Sequence, residues 1–321
     1  MESLQKIKLS PEQIDRILRE TLQEKARSIQ ELADGWANTG YRVELESGRT
    51  LMLKAAPAKG QTVMRSERDT MRVEVEVTRL LTQKQPEVPV PHIYVYDPSC
   101  SLVPCEYFIK EYLDAEPYNK VKDTLSTDEQ EQIEEELGRY NRMINSVTGE
   151  QFGYFLTEYG AASTWRDGFH LLMHDLLQDG KDAGIELPLP YSVVEHEIEV
   201  RLDAFEEVKV PQLIHWDLWE GNLFVKDNHV VGIIDFERSL WGDPLFENFF
   251  GKFHQPGAFR RGYGKLHLTE TEQIRRELYD LHLDLVQYIE CTYRGYQNKG
   301  HIEWARANLA NTFELLIGKS R

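Results

Sequence analysis

The sequence predicts an α+β protein in two lobes: an N-terminal lobe built on an antiparallel β-sheet with one long helix, and a larger, mostly helical C-terminal lobe. Three observations predict it. Between about residues 29 and 111, alternating apolar and polar runs are separated by turn residues, which is the period-2 signature of strands. From about residue 127 onward the apolar residues recur three and four positions apart, the signature of helices that bury one face. A chain of 321 residues is also too long for one typical core and long enough for two.

In chain order, the first element is an amphipathic helix over residues 10–24. Ser10 suits its N-cap, Pro11 its first turn and Gln13 a capping box, and Ile14, Ile17, Leu18 and Leu22 form its apolar stripe. A three-stranded meander follows from Ile29 to Lys54, with turns at Asp34 to Gly40 and at Ser47-Gly48-Arg49. Lys54 ends the third strand. Arg65 to Leu81 reads as the long helix, with Val73, Val77, Leu80 and Leu81 on one face and Glu74 and Glu76 near its middle. Val88-Pro89-Val90-Pro91 forces extended backbone, and strands follow at Ile93 to Tyr96 and Tyr107 to Ile109. Helices are then expected over Glu129 to Ile144, Trp165 to Leu177, Val193 to Phe205, Thr269 to Tyr293 and Ile302 to Leu316, with a polar loop from Gln178 to Pro190.

The polar residues that carry chemistry crowd between Leu213 and Glu247. Leu223-Phe224-Val225 and Val230 to Ile234 are apolar, β-branched and aromatic runs separated by Lys226-Asp227-Asn228-His229, the composition of a hairpin turn. A hairpin brings its outer ends together, so Asn222 and Asp235 belong side by side, with Asp217 projecting from the preceding loop. Amide and carboxylate oxygens so placed suit a hard divalent cation such as Mg²⁺.

The order His215-x-Asp217-x-x-x-x-Asn222 followed by Asp235-Phe236-Glu237 resembles the catalytic loop and metal-binding segment of protein-kinase-like phosphotransferases. Trp216 stands where protein kinases carry Arg, and D-F-E replaces D-F-G. Both departures point to the aminoglycoside phosphotransferase, choline kinase and fructosamine kinase group, whose loop usually reads H-G-D-L-x-x-x-N. The resemblance implies a two-lobed protein-kinase-like fold, divided into a nucleotide-binding lobe (residues 1–112) and a catalytic and substrate-binding lobe (residues 113–321). It implies that Asp217 orients the attacking hydroxyl, that Asn222 and Asp235 hold Mg²⁺, and that His215 and Asp243, the latter within Gly242-Asp243-Pro244, support the catalytic loop. Lys54 becomes the phosphate-binding lysine, paired with Glu74 or, as the alternative, Glu76. Asn38, in the turn that also holds Gly35 and Gly40, would cover the nucleotide phosphates, and Glu111 and Leu113 occupy the hinge that binds adenine.

The resemblance thus implies transfer of the γ-phosphoryl group of ATP or GTP to a hydroxyl of a small molecule. Aminoglycosides, sugars, amino alcohols and glycated amines are all candidate acceptors. A catalytically silent nucleotide binder would not need Asp217, and a protein kinase would carry A-P-E after Asp235. Lys and Arg total 37 against 54 Asp and Glu, a net charge of −17, which disfavours nucleic acid and favours a cationic acceptor. Glu247, Glu270 and Asp284 are candidate acids for the acceptor cleft, or else exposed acids. The opening residues lack an apolar signal stretch and no run is long enough to span a membrane, so a cytoplasmic protein is expected. Cys100, Cys105 and Cys291 form no metal or disulfide pattern, and nothing marks an oligomeric state.

Overall fold

A computed structural model describes residues 6–32, 38–58, 60–254 and 257–319. The first helix, α1 (Pro11–Leu22), carries the expected capping box, with the Gln13 amide donating to Ser10 Oγ (3.3 Å) and the Ser10 amide to Gln13 Oε1 (2.8 Å). Five antiparallel strands follow, β1 (Ala26–Leu32), β2 (Thr39–Leu45), β3 (Thr50–Ala55), β4 (Ile93–Asp97) and β5 (Tyr107–Glu111), in the order β1-β2-β3-β5-β4. Strand alternation splits this sheet into two chemistries. Leu51, Leu53, Tyr107 and Ile109 pack with Ile14, Ile17 and Leu18 of α1, whereas Lys54, Phe108 and Lys110 turn to the opposite face. That face is covered by α2 (Thr70–Lys84), whose Met71 and Val75 pack on Phe108 and Ile93.

The helix expected from Arg65 to Leu81 begins later. Residues Arg65–Glu67 form a single 3₁₀ turn, Asp69 adopts the left-handed conformation (φ 50°), and α2 starts at Thr70. The polar groups of the lead-in go elsewhere: the Arg65 amide donates to Asp179 Oδ2 (2.8 Å), and Asp69 accepts from the Tyr159 hydroxyl (2.5 Å). Docking against the helical region therefore outweighs helix continuation.

Beyond Glu111 the chain is mostly helical. A short strand β6 (Glu116–Pro117) leads to α3 (Tyr118–Val121), α4 (Thr127–Asn145), β7 (Phe152–Tyr154), β8 (Ala161–Ala162), α5 (Trp165–Asp182) and α6 (Tyr191–Glu199). The catalytic stretch contains β9 (Gln212–Ile214), β10 (Leu223–Lys226), β11 (His229–Ile233) and β12 (Leu240–Gly242), followed by α7 (Gly257–Tyr263), α8 (Glu270–Tyr293) and α9 (Lys299–Lys319). Strand β10 lies between β11 and β6, and β12 lies between β7 and β9. Two expectations shift. Residues 178–182 continue α5 rather than opening a loop, and the helix expected from Val193 to Phe205 changes at Val200 to a 3₁₀ turn (Leu202–Glu207) that buries Leu202, Ala204 and Phe205 together. The core beneath the site is aromatic: Trp165, Phe169, Phe205, Phe246 and Tyr279 pack ring on ring, and Trp165 Nε1 donates to the Tyr279 hydroxyl (2.6 Å). Among the described residues no helix is long and apolar enough to cross a membrane, and the three cysteines are free thiols.

Helices α4 and α7 touch backbone to backbone. A Cβ placed on Gly262 would lie 1.8 Å from the Glu135 carbonyl oxygen, and one on Gly138 would lie 2.1 Å from the Phe259 carbonyl oxygen. Neither obstacle is a side chain that can swing away. Gly262→Ala and Gly138→Ala should each force the helices apart and destabilise by about 1–3 kcal/mol, the usual range for overpacking. Thermal melts of both variants, compared with an alanine substitution at an exposed site such as Glu303, check this.

Candidate active site

The ammonium of Lys54 is the centre of the site. Its Nζ lies 2.5 Å from Glu74 Oε2, 2.6 Å from Asp235 Oδ1 and 3.0 Å from Glu237 Oε2. Register explains the convergence. Lys54 sits opposite Phe108 on β5 and Gly40 on β2, so it leaves the sheet toward α2, whose almost fully buried Glu74 meets it. Lys110, two positions from Phe108 on the same face, donates to the second oxygen of Glu74 (3.0 Å), and the Phe108 ring lies below both ammonium groups. Glu76, the alternative partner, pairs with Arg72 instead (2.6 Å).

Burial alone would strip Lys54 of its charge, but Asp235, Glu237 and Glu74 together outweigh it and hold the ammonium well above its usual range. The same balance splits the two acids. Burial pushes both up; Lys54 more than reverses this for Asp235, which is lowered, whereas Glu237 stays raised beside Asp235 and Glu74.

The hairpin forms as its sequence demands. Asp227 and Asn228 both take positive φ (51° and 62°), the mark of a type I′ turn, and β10 and β11 pair from Lys226–His229 back to Leu223–Ile233. The Ile234 amide then donates to the Asn222 carbonyl (3.1 Å), fixing Asn222 beside the start of the D-F-E segment. Asn222 Nδ2 donates to the Asp217 carbonyl (2.8 Å), which leaves Oδ1 as the atom available to a cation. Oxygens of Glu74, Asp235 and Glu237 lie within 4.8 Å of one another. These carboxylate oxygens are hard donors of the kind Mg²⁺ takes.

Asp217 projects from the loop between β9 and β10. Burial pushes its carboxyl up to about 7; Arg238 opposes the shift, and Asp235, Glu237 and Glu290 add to it. The loop is held from behind by Glu247, one of whose oxygens accepts from the His215 amide (2.9 Å) and from Asn141 and Asn145 (2.9 and 3.0 Å), while the other accepts from the Trp216 amide (3.0 Å). His215 Nε2 donates to the Ile234 carbonyl (2.9 Å), tying the loop to the hairpin end. Trp216 has φ 68°, a left-handed conformation uncommon outside glycine. It occupies the position where the related loops carry glycine. On the other side, Glu220 lies 3.2 Å from Lys122 and 3.6 Å from His254; against burial, its hydrogen bond with His254 and, less, the Lys122 charge hold its carboxyl down to about 2.

The structure therefore brings Lys54, Glu74, Asn38 and Asp235 into direct contact through one cluster, with Asn38 Nδ2 donating to Glu237 (2.8 Å). Residues 34–37 of the phosphate-covering turn lie outside the described residues, and Thr39 and Gly40 begin β2. Glu111 ends β5 with its side chain near the His92 amide (3.3 Å), and Leu113 crosses to pack on Gly232 of β11. Asp243 bonds away from the loop: Oδ2 accepts from Arg275 Nε and the Tyr279 hydroxyl, both at 2.8 Å, and Oδ1 from the Leu245 amide (3.1 Å), which ties the D-P turn to α8. Glu247, expected to line a cleft or face solvent, is fully buried, as is Asp284, which accepts from Lys252 (2.5 Å) and Thr312 (2.6 Å); Glu270 is exposed.

Sequence reasoning gave no role to Glu237 or Lys110, and placed Glu247 in a cleft or on the surface rather than behind the loop. Alternation along β5 signals Lys110, since it shares a face with the register partner of Lys54. Glu247→Ala would leave two backbone amides and two asparagine side chains without their acceptor inside the core. At about 1–3 kcal/mol for each unsatisfied buried donor, the variant should lose at least 3 kcal/mol of stability, read as a depressed Tm.

A family model described as the phosphotransferase enzyme family (APH) matches residues 28–277. No curated protein matches the chain in sequence. Among solved structures, a putative fructosamine-3-kinase from Thermobifida fusca superposes with a TM-score of 0.70 at 20% identity, covering 95% of this chain and 98% of that one. A thermostable mutant of the aminoglycoside phosphotransferase APH(4)-Ia, in ternary complex with ADP and hygromycin B, gives 0.66 at 17% identity, covering 93% and 97%. The streptomycin–ATP ternary complex of APH(2")-IIa gives 0.62 at 17%, covering 96% and 99%. These likenesses establish the two-lobed kinase-like fold, with a sheet-bearing N-terminal lobe and a mostly helical C-terminal lobe. With the family match spanning most of the chain, including the Lys54 cluster and the whole stretch from His215 to Asp243, the protein belongs to the phosphotransferase enzyme family and is a small-molecule phosphotransferase.

Proposed function

We propose that the enzyme transfers the γ-phosphoryl group of ATP, or of GTP, to a hydroxyl of a small cationic molecule, with Asp217 as the residue that orients the hydroxyl and accepts its proton. The observation that carries this reading is the pairing of two differently tuned sites: a cluster of hard oxygen donors around Lys54, and an aspartate whose carboxyl is raised to about 7. A base with that pKa is half deprotonated at neutral pH and well matched to proton transfer.

In this reading Lys54, fixed by Glu74, binds the phosphates, and Asn38 and the hinge at Glu111 and Leu113 hold the rest of the nucleotide. Asn222, Asp235 and Glu237 hold Mg²⁺, which supplies neutralisation of phosphate charge when bound. His215 and Glu247 keep Asp217 aimed, and Asp243 anchors the segment behind them. Because little covalent chemistry falls to the protein in phosphoryl transfer, such positioning supplies most of the rate.

An aminoglycoside is the first acceptor to test, since two of the similar structures hold hygromycin B or streptomycin and a net charge of −17 attracts a cation. A glycated amine is the second, on the likeness to a putative fructosamine-3-kinase.

The test is Mg²⁺-dependent ADP or GDP release across a panel of aminoglycosides, glycated amines, amino alcohols and sugars. One acceptor should accelerate release, and Asp217→Asn should cut kcat by on the order of 10²- to 10⁴-fold with nucleotide affinity nearly unchanged. Full turnover by that variant would overturn the assignment. The pH dependence has a definite sign: the base is active as carboxylate, so kcat/KM should hold above pH 7 and fall as the pH drops through about 7.

A further inference from the structure

The buried charges behind Asp217 form a closed group. Arg238, immediately after the D-F-E segment, donates through Nη2 to Glu67 Oε1 (3.1 Å) and Glu290 Oε2 (2.7 Å). Arg294 completes the group, bonding Glu67 through Nε (3.1 Å) and Nη2 and lying 3.8 Å from Glu290. The four side chains are only 9–13% exposed, and two cations balance two acids. The elements joined are the lead-in to α2, the D-F-E segment and the end of α8. The Arg238 guanidinium also lies 5.4 Å from the centroid of the Trp216 ring, within cation–π range. Trp216 is the left-handed residue that directly precedes Asp217, and Arg238 is the cation that acts most strongly on the Asp217 carboxyl.

We propose that Arg238, clamped by Glu67 and Glu290, is a positioning residue for phosphoryl transfer: by stacking on Trp216 it holds the strained turn that aims Asp217, and it joins that turn to the base of α2. Protein kinases carry an arginine at the position of Trp216. Here the cation comes from the other side of the hairpin, and an aromatic ring receives it. Glu67 lies in the lead-in to α2, which carries Glu74, so the clamp links the Lys54 site to the catalytic loop. Lysine can keep the charge at position 238 and bond the two acids through one nitrogen, as Nη2 does, but it has no planar guanidinium to lay on the Trp216 ring at the same time.

This rests on the role proposed for Asp217, and the experiment separates the two. Wild-type turnover and its loss in Asp217→Asn test that role. With the same acceptor, and with water as acceptor through basal ATP hydrolysis, Arg238→Met should lower kcat by on the order of a hundredfold, the cost of a misaimed catalytic group, while the affinity for a fluorescent ADP analogue changes less than about threefold. Arg238→Lys should recover only part of the loss, and added guanidinium should raise kcat of Arg238→Met but not of Arg238→Lys. Trp216→Leu, which keeps all four charges, should reproduce most of the kcat defect and leave little further loss for Arg238→Met to add. The proposal is overturned if folded Arg238→Met keeps its kcat, or if kcat and nucleotide affinity fall together. If Arg238→Met does not fold, full kcat in Trp216→Leu overturns it alone.

Discussion

One ammonium group among three carboxylates governs how this protein is assembled. Lys54 comes from the sheet, Glu74 from the helix laid on that sheet, and Asp235 and Glu237 from the segment after the hairpin. These elements lie far apart in sequence; Lys54, Glu74 and Glu237 are nearly excluded from water and Asp235 keeps 31% of its side chain exposed, so the three buried charges depend on one another. Removing one partner of a buried pair costs several kcal/mol because the other is stranded. Two ammonium groups, Lys54 and Lys110, face three acids. The cluster therefore retains an excess of negative charge, which is the condition for attracting a divalent cation there.

The catalytic loop depends on a second buried acid of a different kind. Glu247 spends its oxygens on two consecutive loop amides and two asparagines of α4, and no cation lies among these partners. Its cost of burial is offset by four hydrogen bonds that occupy both of its oxygens. The consequence is a loop whose backbone conformation is imposed from behind, and this explains how a tryptophan can occupy a left-handed position that costs a β-carbon about 1 kcal/mol or more. Around Trp216 the aromatic layer of Phe246 and His282 closes the remaining space. Burial and Arg238 hold His282 down to about 3, so it adds no charge there.

Most of the architecture is legible in the sequence because it rests on local signals. The capping box at Ser10, the Asp227-Asn228 turn and the alternation of β3 and β5 each specify their own geometry. The pairing of Lys54 is legible only as far as Glu74 or Glu76, with Glu74 favoured by the family resemblance; in the structure helix phase turns Glu74 to Lys54 and Glu76 to Arg72. What is not legible depends on contacts between distant segments. Nothing near Arg65 announces that Asp179 and Tyr159 will take its polar neighbours and delay α2. Nothing near Glu247 announces that an acid following Gly242-Asp243-Pro244 turns inward, because its four donors come from residues 141, 145, 215 and 216. Asp243 carries the more recognisable motif, yet its own bonds run to α8.

The charges of the helical region also isolate the reactive group. Asp243 is matched by Arg275, Asp284 by Lys252, Asp179 by Arg65, and Glu67 and Glu290 by Arg238 and Arg294. Among the described residues Asp217 has no such partner: its backbone carbonyl is taken by Asn222, but its carboxyl makes no ion pair or side-chain hydrogen bond. A half-buried acid without a partner favours the protonated form. Here Arg238 is near enough to limit that shift while its Nη2 is held by Glu67 and Glu290, away from Asp217. The carboxyl is left near neutrality at about 7 and without a side-chain partner, which is the state that the proton acceptor proposed for phosphoryl transfer would need.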